Sequence, residues 1–178
     1  MREKMSFELC KVTEEIVQPF LDEVIKNSET KWSGSKYDII KKAPVSTKGK
    51  FGEKVTSAYL NCINYKSKIV NGGIGDFDIL LEAPNVKLKI EHKLATEDVH
   101  NSFQFNAIKK AIDYDYVFCF GVSPNDLWFI IQTREWCEQN LTTNMSKDVV
   151  GGFKYTVRKG LMIPLTEENF KGEIEKIV

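Results

Sequence analysis

An alternating stretch over residues 76–93, DFDILLEAPNVKLKIEHK, constrains the fold of this chain more than any other part of the sequence. It predicts two β-strands joined by a turn over residues 83–85. Successive side chains of a strand point to opposite faces of its sheet. Glu91 and Lys93 are therefore predicted to emerge side by side, and His92 is predicted to lie on the opposite, apolar face as a packed or hydrogen-bonded side chain.

The first strand of this pair places acidic side chains near the same point. Asp76 and Asp78 share one of its faces, and pairing of the two strands would bring an acid beside Glu91 and Lys93. Mg²⁺ prefers one or two carboxylates and keeps several waters, and a nearby lysine can stabilise charge on a phosphate. The backbone carbonyl of His92 is a further candidate ligand. The pattern thus favours a site for a divalent metal and a phosphate.

A structural cluster of ions at a sheet edge is the alternative interpretation, because lysines there deter edge-to-edge pairing. This interpretation accounts for Lys87 and Lys89. It accounts poorly for the three acids Asp76, Asp78 and Glu91 being brought to one place.

The remaining pattern predicts an α/β or α+β fold, with a mixed central sheet flanked by helices. Apolar residues at helical spacing predict helices over residues 6–26 and 51–65, and a third helix is expected over 96–113, with Thr96 as its N-cap. Further predictions are strands over residues 67–70, 116–122, 127–132 and 154–159, and helices over 134–140 and after Thr166.

Length and composition narrow the class of protein. At 178 residues, with an apolar fraction of 42%, we expect one domain, divided into an N-terminal helix and basic loop (1–50), a core (51–132) and a C-terminal extension (133–178). Lys and Arg number 25, as do Asp and Glu, so any site for a polyanion must come from local clustering. The four separated cysteines favour reduced thiols in a cytoplasmic protein, and no apolar run reaches membrane-spanning length.

Two polar segments, residues 27–50 and 141–160, are rich in lysine. One interpretation is a solvated loop, and the other is a surface that contacts phosphates, since Lys, Ser and Thr are common phosphate partners. The candidate DNA-contacting residues are Lys36, Lys41, Lys42, Lys48, Lys50, Lys154, Arg158 and Lys159.

With Asp78, then Glu91-His92-Lys93 thirteen residues on, the sequence resembles the PD-(D/E)xK nuclease superfamily, in particular its type II restriction endonucleases. The order of GDFDILLE, KLKIEHK, an expected helix with Gln104, and the apolar strands YVFCFGV and LWFII is similar to the core of that family. The resemblance covers residues 51–132. Phe77 stands where the family has its proline.

The resemblance implies roles for particular residues. Asp78 and Glu91 would bind Mg²⁺, for which Mn²⁺ can substitute, and Lys93 would position or activate the attacking water. Glu53 and Gln104 would be accessory, although Glu53 is also explained as a favourable carboxylate in the first turn of a helix. Asp76 is either an accessory acid or a ligand.

The implied activity is hydrolysis of double-stranded DNA to 5′-phosphate and 3′-hydroxyl ends. A type II restriction endonuclease, acting as a homodimer or as one subunit of a larger enzyme, is the favoured interpretation, since cutting both strands of a palindrome calls for two active sites related by a two-fold axis. A structure-selective or repair nuclease similar to Holliday-junction resolvases is the second. A non-catalytic DNA-binding module with a degenerate nuclease core is the third.

Overall fold

A computed structural model of the chain describes Gln18 and residues 31–70, 77–110, 113–144 and 152–178. Residues 1–35 and 36–178 form two separate units. In the first, the backbone N–H and the hydroxyl of Ser35 both donate to the carbonyl of Trp32, at 3.0 and 2.7 Å. The helix expected over residues 6–26 lies outside the described residues except for Gln18. The division into one nuclease domain stays a prediction.

The second unit contains the helices and strands that position the candidate site. In chain order they are α1 (Asp38–Lys42), α2 (Val45–Cys62), β1 (Lys66–Ile69), β2 (Ile79–Ala83), β3 (Val86–Thr96), β4 (Ser102–Lys109), β5 (Tyr116–Val122), β6 (Leu127–Thr133), α3 (Arg134–Asn140), β7 (Thr142–Asn144), β8 (Gly152–Arg158), a 3₁₀ turn (Lys159–Leu161), β9 (Ile163–Pro164) and α4 (Glu167–Glu175).

A mixed central sheet has the strand order β1-β2-β3-β5-β6-β9. Only β3 and β5 are parallel among its described pairs, and the connection between them contains β4. The predicted hairpin of β2 and β3 is confirmed, with Ile79 opposite Ile90 and Ala83 opposite Val86. The predicted mixed sheet flanked by helices is therefore confirmed.

Helices α2 and α4 cover one face of this sheet through aromatic packing. The ring of Phe170 on α4 lies 5.9 Å from that of Phe118 on β5 and 5.4 Å from that of Tyr59 on α2. Thr166 caps α4 as predicted, because its side chain accepts a hydrogen bond from the backbone N–H of Asn169. The aromatic cluster thus fixes both helices against the strands.

A second sheet, with the order β4-β8-β7, covers the opposite face. Buried Phe103 and Phe105 of β4 pack in one cluster with Val117 and Cys119 of β5. Gly121 lets the sheets approach closely, since a Cβ there would lie 2.9 Å from the Phe103 ring. The Glu91 and Lys93 side chains thus project from β3 towards a sheet and not towards a helix.

The helix predicted over residues 96–113 is wrong. Thr96 ends β3, and the Asp98 carboxylate accepts hydrogen bonds from the backbone N–H groups of His100 and Ser102, which form a turn into β4. Phe103 and Phe105 alternate with exposed Gln104, which is the two-residue period of a strand. Burial of these two rings against β5 decides the local structure.

Strand β4 contains a β-bulge near its end. Its pairing with β8 shifts register between Phe105 and Ile108, and Ala107 has a positive φ of 56°. Such a conformation is rare for a residue with a Cβ and is found where a bulge redirects a strand. The bulge sets the direction of Lys109, the last residue of β4.

The other expected elements agree with the structure over most of their length. Strands β5, β6 and β8 and helix α3 are confirmed. The basic segment before residue 51 is expected to be a loop. This prediction is wrong where α1 covers Asp38–Lys42 and where α2 begins at Val45. Within the described part of the chain, no helix is both long and apolar enough to cross a membrane.

We predict that Gly52→Ala destabilises the protein by about 2 kcal/mol, as overpacking of a core does. The new methyl group on α2 would overlap the His92 ring and lie 3.1 Å from Leu94 Cδ1.

The control is Gly49→Ala in the same helix, whose Cβ would meet only Glu53 Oε1 at 3.8 Å. It should raise stability by up to about 1 kcal/mol through helix propensity. Urea unfolding measures both, and equal effects would contradict the close packing of α2 on β3.

Candidate active site

Asp78 lies where β2 and β3 part. Its backbone N–H donates to the carbonyl of Ile90 at 2.9 Å, and its carboxylate Oδ2 accepts from the backbone N–H of His92 at 2.8 Å. The Asp78 carboxylate thus takes the place of the next backbone acceptor, so hydrogen bonding to β3 continues beyond the last paired residue of β2. This bond fixes Asp78 beside the segment that carries Glu91 and Lys93.

Glu91 is the most buried acid of the site, with a side chain 0% exposed. Lys93 Nζ lies 2.6 Å from its Oε1, and Oε2 has no hydrogen-bond partner among the described residues. Burial raises the pKa of Glu91, whereas the ammonium of Lys93 acts to lower it. The predicted shared face of Glu91 and Lys93 is confirmed.

Lys109 joins this pair from the second sheet. Its Nζ lies 3.4 Å from Glu91 Oε2 and 3.9 Å from Asp78 Oδ1. Sequence reasoning missed this residue because the segment that carries it was interpreted as a helix. The alternation of Phe103 and Phe105 was the available signal for a strand, but the bulge that directs Lys109 has no comparable signal.

Helix α2 brings Glu53 to the same group of charges. Burial raises the pKa of Glu53, and so does the nearby Asp78 carboxylate, whereas Lys93 and Lys50 act to lower it. Glu53 therefore lies within electrostatic reach of both predicted catalytic strands. Glu53 is not in the first turn of α2, because the helix begins eight residues earlier at Val45. A favourable carboxylate at a helix start therefore does not explain this residue, and an accessory acid does.

His92 packs on the opposite face, as predicted. Its ring stacks on Phe118 at 5.6 Å, and its Nε2 lies 3.1 Å from the hydroxyl of Thr56 on α2. Complete burial, with the Lys93 charge nearby, lowers the pKa of His92 from 6.5 to about 3. The ring is thus neutral at ordinary pH and holds β3 against α2.

Two accessory predictions have different outcomes. Asp76 lies outside the described residues. Gln104 is on β4 and not on a helix, and its exposed amide donates to Asn106 at 3.2 Å. It shares neither the face nor the burial of Phe103 and Phe105, so the structure does not bring it to Glu91.

The donor set suits a hard divalent cation. Glu91 supplies a buried Oε2 that has no hydrogen-bond partner among the described residues, and Asp78 Oδ1 faces the ammonium of Lys109, as does that oxygen. The backbone N–H and C=O of a strand residue point to the same side of the strand. The His92 carbonyl therefore lies on the side of β3 where the backbone N–H of His92 donates to Asp78. Among described residues no three His, Cys, Asp or Glu side chains form a metal-binding group. Mg²⁺ needs only one or two carboxylates with waters.

The two basic segments meet at the end of β3. Lys41 Nζ donates to the Thr96 hydroxyl at 3.2 Å and lies 3.4 Å from the Glu97 carbonyl oxygen. Lys159 Nζ lies 3.2 Å from the Glu97 carboxylate, which is buried. Glu97 therefore holds both segments beside the end of β3.

The remaining predicted DNA-contacting residues lie at the surface, apart from the half-buried Lys48. Lys42 forms an ion pair with Asp38 at 2.6 Å within α1. The exposed members are Lys36, Lys42, Lys50, Lys154 and Arg158. Arg158 lines a surface depression of about 730 Å³ together with His100 and Lys159. These exposed basic residues therefore lie at the surface and outside the core.

No protein-family model matches the chain, and no curated protein matches it. Among solved structures it is similar to "The structure of a bacterial homing endonuclease: I-Ssp6803I", with a TM-score of 0.49. The two share 10% sequence identity, and the match covers 76% of this chain and 98% of the other.

We predict that His92 stays neutral between pH 7.5 and 4.5, because its pKa is about 3 in the folded protein. The unfolded chain takes up a proton at His92 as the pH falls below 6.5, so this residue lowers the free energy of unfolding in that range. NMR of the histidine rings measures its protonation, with exposed His100 giving a second ring signal for assignment. A His92 midpoint near 6.5 would contradict the buried environment of its ring.

Proposed function

We propose that the protein is a magnesium-dependent DNA endonuclease of the PD-(D/E)xK superfamily. The observation that carries the proposal is the fully buried Glu91 carboxylate, which is paired with Lys93 through Oε1 and has no hydrogen-bond partner at Oε2 among the described residues. It lies on a strand whose backbone is bonded to Asp78. Such a carboxylate is costly to bury for stability alone, since desolvation offsets most of the gain from an ion pair. A divalent cation would satisfy its oxygens.

Asp78 and Glu91, with the His92 carbonyl, are the groups that would hold Mg²⁺ or Mn²⁺. When bound, such an ion polarises the scissile phosphate and lowers the pKa of a water. The chain's own contribution is to keep both carboxylates oriented before substrate arrives. The hydrogen bond from the His92 N–H fixes Asp78, and burial between the two sheets fixes Glu91.

Lys93 would position the attacking water and stabilise charge on the phosphate. Its side chain is 18% exposed, so it can reach a substrate while still contacting Glu91. In the proposed hydrolysis the water oxygen forms a bond to phosphorus, and the bond from phosphorus to the 3′ oxygen breaks. The 3′ oxygen takes up a proton, which leaves 5′-phosphate and 3′-hydroxyl ends. Glu53 is an accessory acid near the same groups.

Double-stranded DNA is the proposed partner, and a type II restriction endonuclease is the favoured form of the enzyme. The exposed Lys50, Lys154 and Arg158 are available to phosphates, and Lys50 lies within electrostatic reach of Glu53. Basic residues outside the core support a protein that grips a duplex over several base pairs. A homodimer, or a subunit of a larger restriction enzyme, would place two such sites on opposite strands.

A structure-selective repair nuclease is the second candidate, because the same core would cut branched DNA with fewer base contacts. The convergence of Lys41 and Lys159 at Glu97 favours this candidate, since these two residues and Lys42 are three predicted DNA-contacting residues that are engaged within the protein. A non-catalytic DNA-binding module is disfavoured by the joint presence of Asp78, Glu91 and Lys93.

We predict that Lys93→Ala lowers cleavage of a mixed-sequence plasmid in Mg²⁺ by at least about a hundredfold, as removal of a group that stabilises transition-state charge does. Metal binding should persist, because Asp78 and Glu91 remain. The matched control is Lys87→Ala on the same strand, whose ion pair with Glu82 lies near the hairpin turn. It should cut at the wild-type rate.

The plasmid products also separate the candidates. Discrete fragments support a restriction enzyme, and cutting of branched DNA alone supports a resolvase-like enzyme. A preparation whose activity is unchanged by Asp78→Ala and by Lys93→Ala would refute the assigned site. A wild-type protein that binds DNA without cutting either substrate would support the binding module.

A further inference from the structure

The second sheet contributes one ammonium group directly to the two carboxylates of the site. Lys109 Nζ lies 3.4 Å from Glu91 Oε2 and 3.9 Å from Asp78 Oδ1, so it faces the oxygens that are the best candidates to hold a cation. It also acts to lower the pKa of Glu53. Lys109 therefore faces Glu91 of β3 and Asp78 just before β2, and it acts electrostatically on Glu53 of α2.

The backbone directs Lys109 to this place. The bulge at Ala107, with its φ of 56°, shifts the register of β4 two residues before Lys109. Lys109 is opposite Gly152 of β8, and Ile108 is anchored in the core. A residue held in the left-handed region costs roughly 1 kcal/mol, so the bulge persists because its surroundings impose it.

Two ammonium groups already face the two carboxylates that are proposed to hold the metal. Asp78 and Glu91 carry two negative charges, and Lys93 and Lys109 carry two positive ones. A divalent cation on the same carboxylate oxygens would lie close to the Lys109 ammonium, and like charges at such distances repel strongly. Lys93 contacts Glu91 Oε1, whereas Lys109 faces both acids, so Lys109 is the group that a shared cation would displace.

We propose that Lys109 is an intrinsic counter-cation, which competes with the divalent metal for Asp78 and Glu91 and contacts a DNA phosphate once it is displaced. This inference rests on the proposed function. The Lys109 side chain is 38% exposed, twice as much as that of Lys93, so it has room to turn outward. Lysine is a common phosphate partner, which gives the displaced ammonium a favourable place in the complex.

A purely structural role is the alternative, in which Lys109 ties the two sheets together through Glu91. The two roles differ in their effect on metal affinity. Competition means that removal of the ammonium strengthens metal binding, and by linkage the metal in turn weakens the contact of Lys109 with the acids. A structural tie means that removal loosens the carboxylates and leaves metal affinity equal or weaker.

The test is calorimetric titration of the DNA-free protein with MnCl₂. Lys109→Met should bind Mn²⁺ about tenfold more tightly than the wild type, within the range of typical coupling between sites. Lys109→Arg should restore the wild-type affinity, because it keeps the charge. The control is Lys110→Met, which removes the same charge one residue away, from over the Phe153 ring, and should not change the affinity.

DNA binding in Ca²⁺ supplies the second readout. Lys109→Met should bind a DNA duplex about threefold more weakly than Lys110→Met, as expected for loss of one phosphate contact. Thermal unfolding shows whether each variant is folded, and Lys109→Gln replaces the methionine variant if that one is not.

The outcomes distinguish the two proposals. Mn²⁺ affinity that is unchanged or weaker in Lys109→Met, with clear binding by the wild type, would overturn the role of Lys109 alone. Absence of Mn²⁺ binding by the wild type and by every variant would overturn the proposed metal-dependent nuclease, and the role of Lys109 with it. Tighter Mn²⁺ binding without any change in DNA affinity would overturn the phosphate contact.

Discussion

Burial of the Glu91 carboxylate between two sheets is the interaction on which the candidate site depends. The oxygens of this side chain are removed from water and face Lys93 and Lys109, and Oε2 has no hydrogen-bond partner among the described residues. An isolated buried charge is strongly unfavourable, and a buried ion pair rarely gains enough to offset its desolvation. The arrangement is therefore better explained by a cation that completes the site than by stability.

The face of β3 opposite Glu91 keeps this geometry in register. His92 is stacked on Phe118 and bonded to Thr56, and Gly52 of α2 leaves room for its ring. A shift of one residue along β3 would exchange the two faces, burying lysines against α2 and moving His92 between the sheets. The packed, neutral His92 ring thus excludes the wrong register of β3. The backbone N–H of the same residue orients Asp78.

The sequence alone predicted the hairpin and the shared face of Glu91 and Lys93, because strand parity is a local property. It also predicted β5 and β6 from their apolar runs; β5 is buried on both faces, whereas Phe129 is the buried residue of β6. It failed at β4, where Phe103 and Phe105 are set by packing on β5 and the intervening turn depends on Asp98. The position of Lys109 follows from a β-bulge, which no local pattern encodes. The convergence of Lys41 and Lys159 on Glu97 depends on contacts between residues more than fifty positions apart, which no local pattern encodes either.

Anomalous diffraction from crystals of the protein grown with Mn²⁺ tests the central claim most directly. The account predicts an anomalous peak in contact with the carboxylates of Asp78 and Glu91, with the Lys109 ammonium moved away from both. Mn²⁺ bound only elsewhere, or no bound Mn²⁺, with Lys109 still facing the two acids, would contradict it.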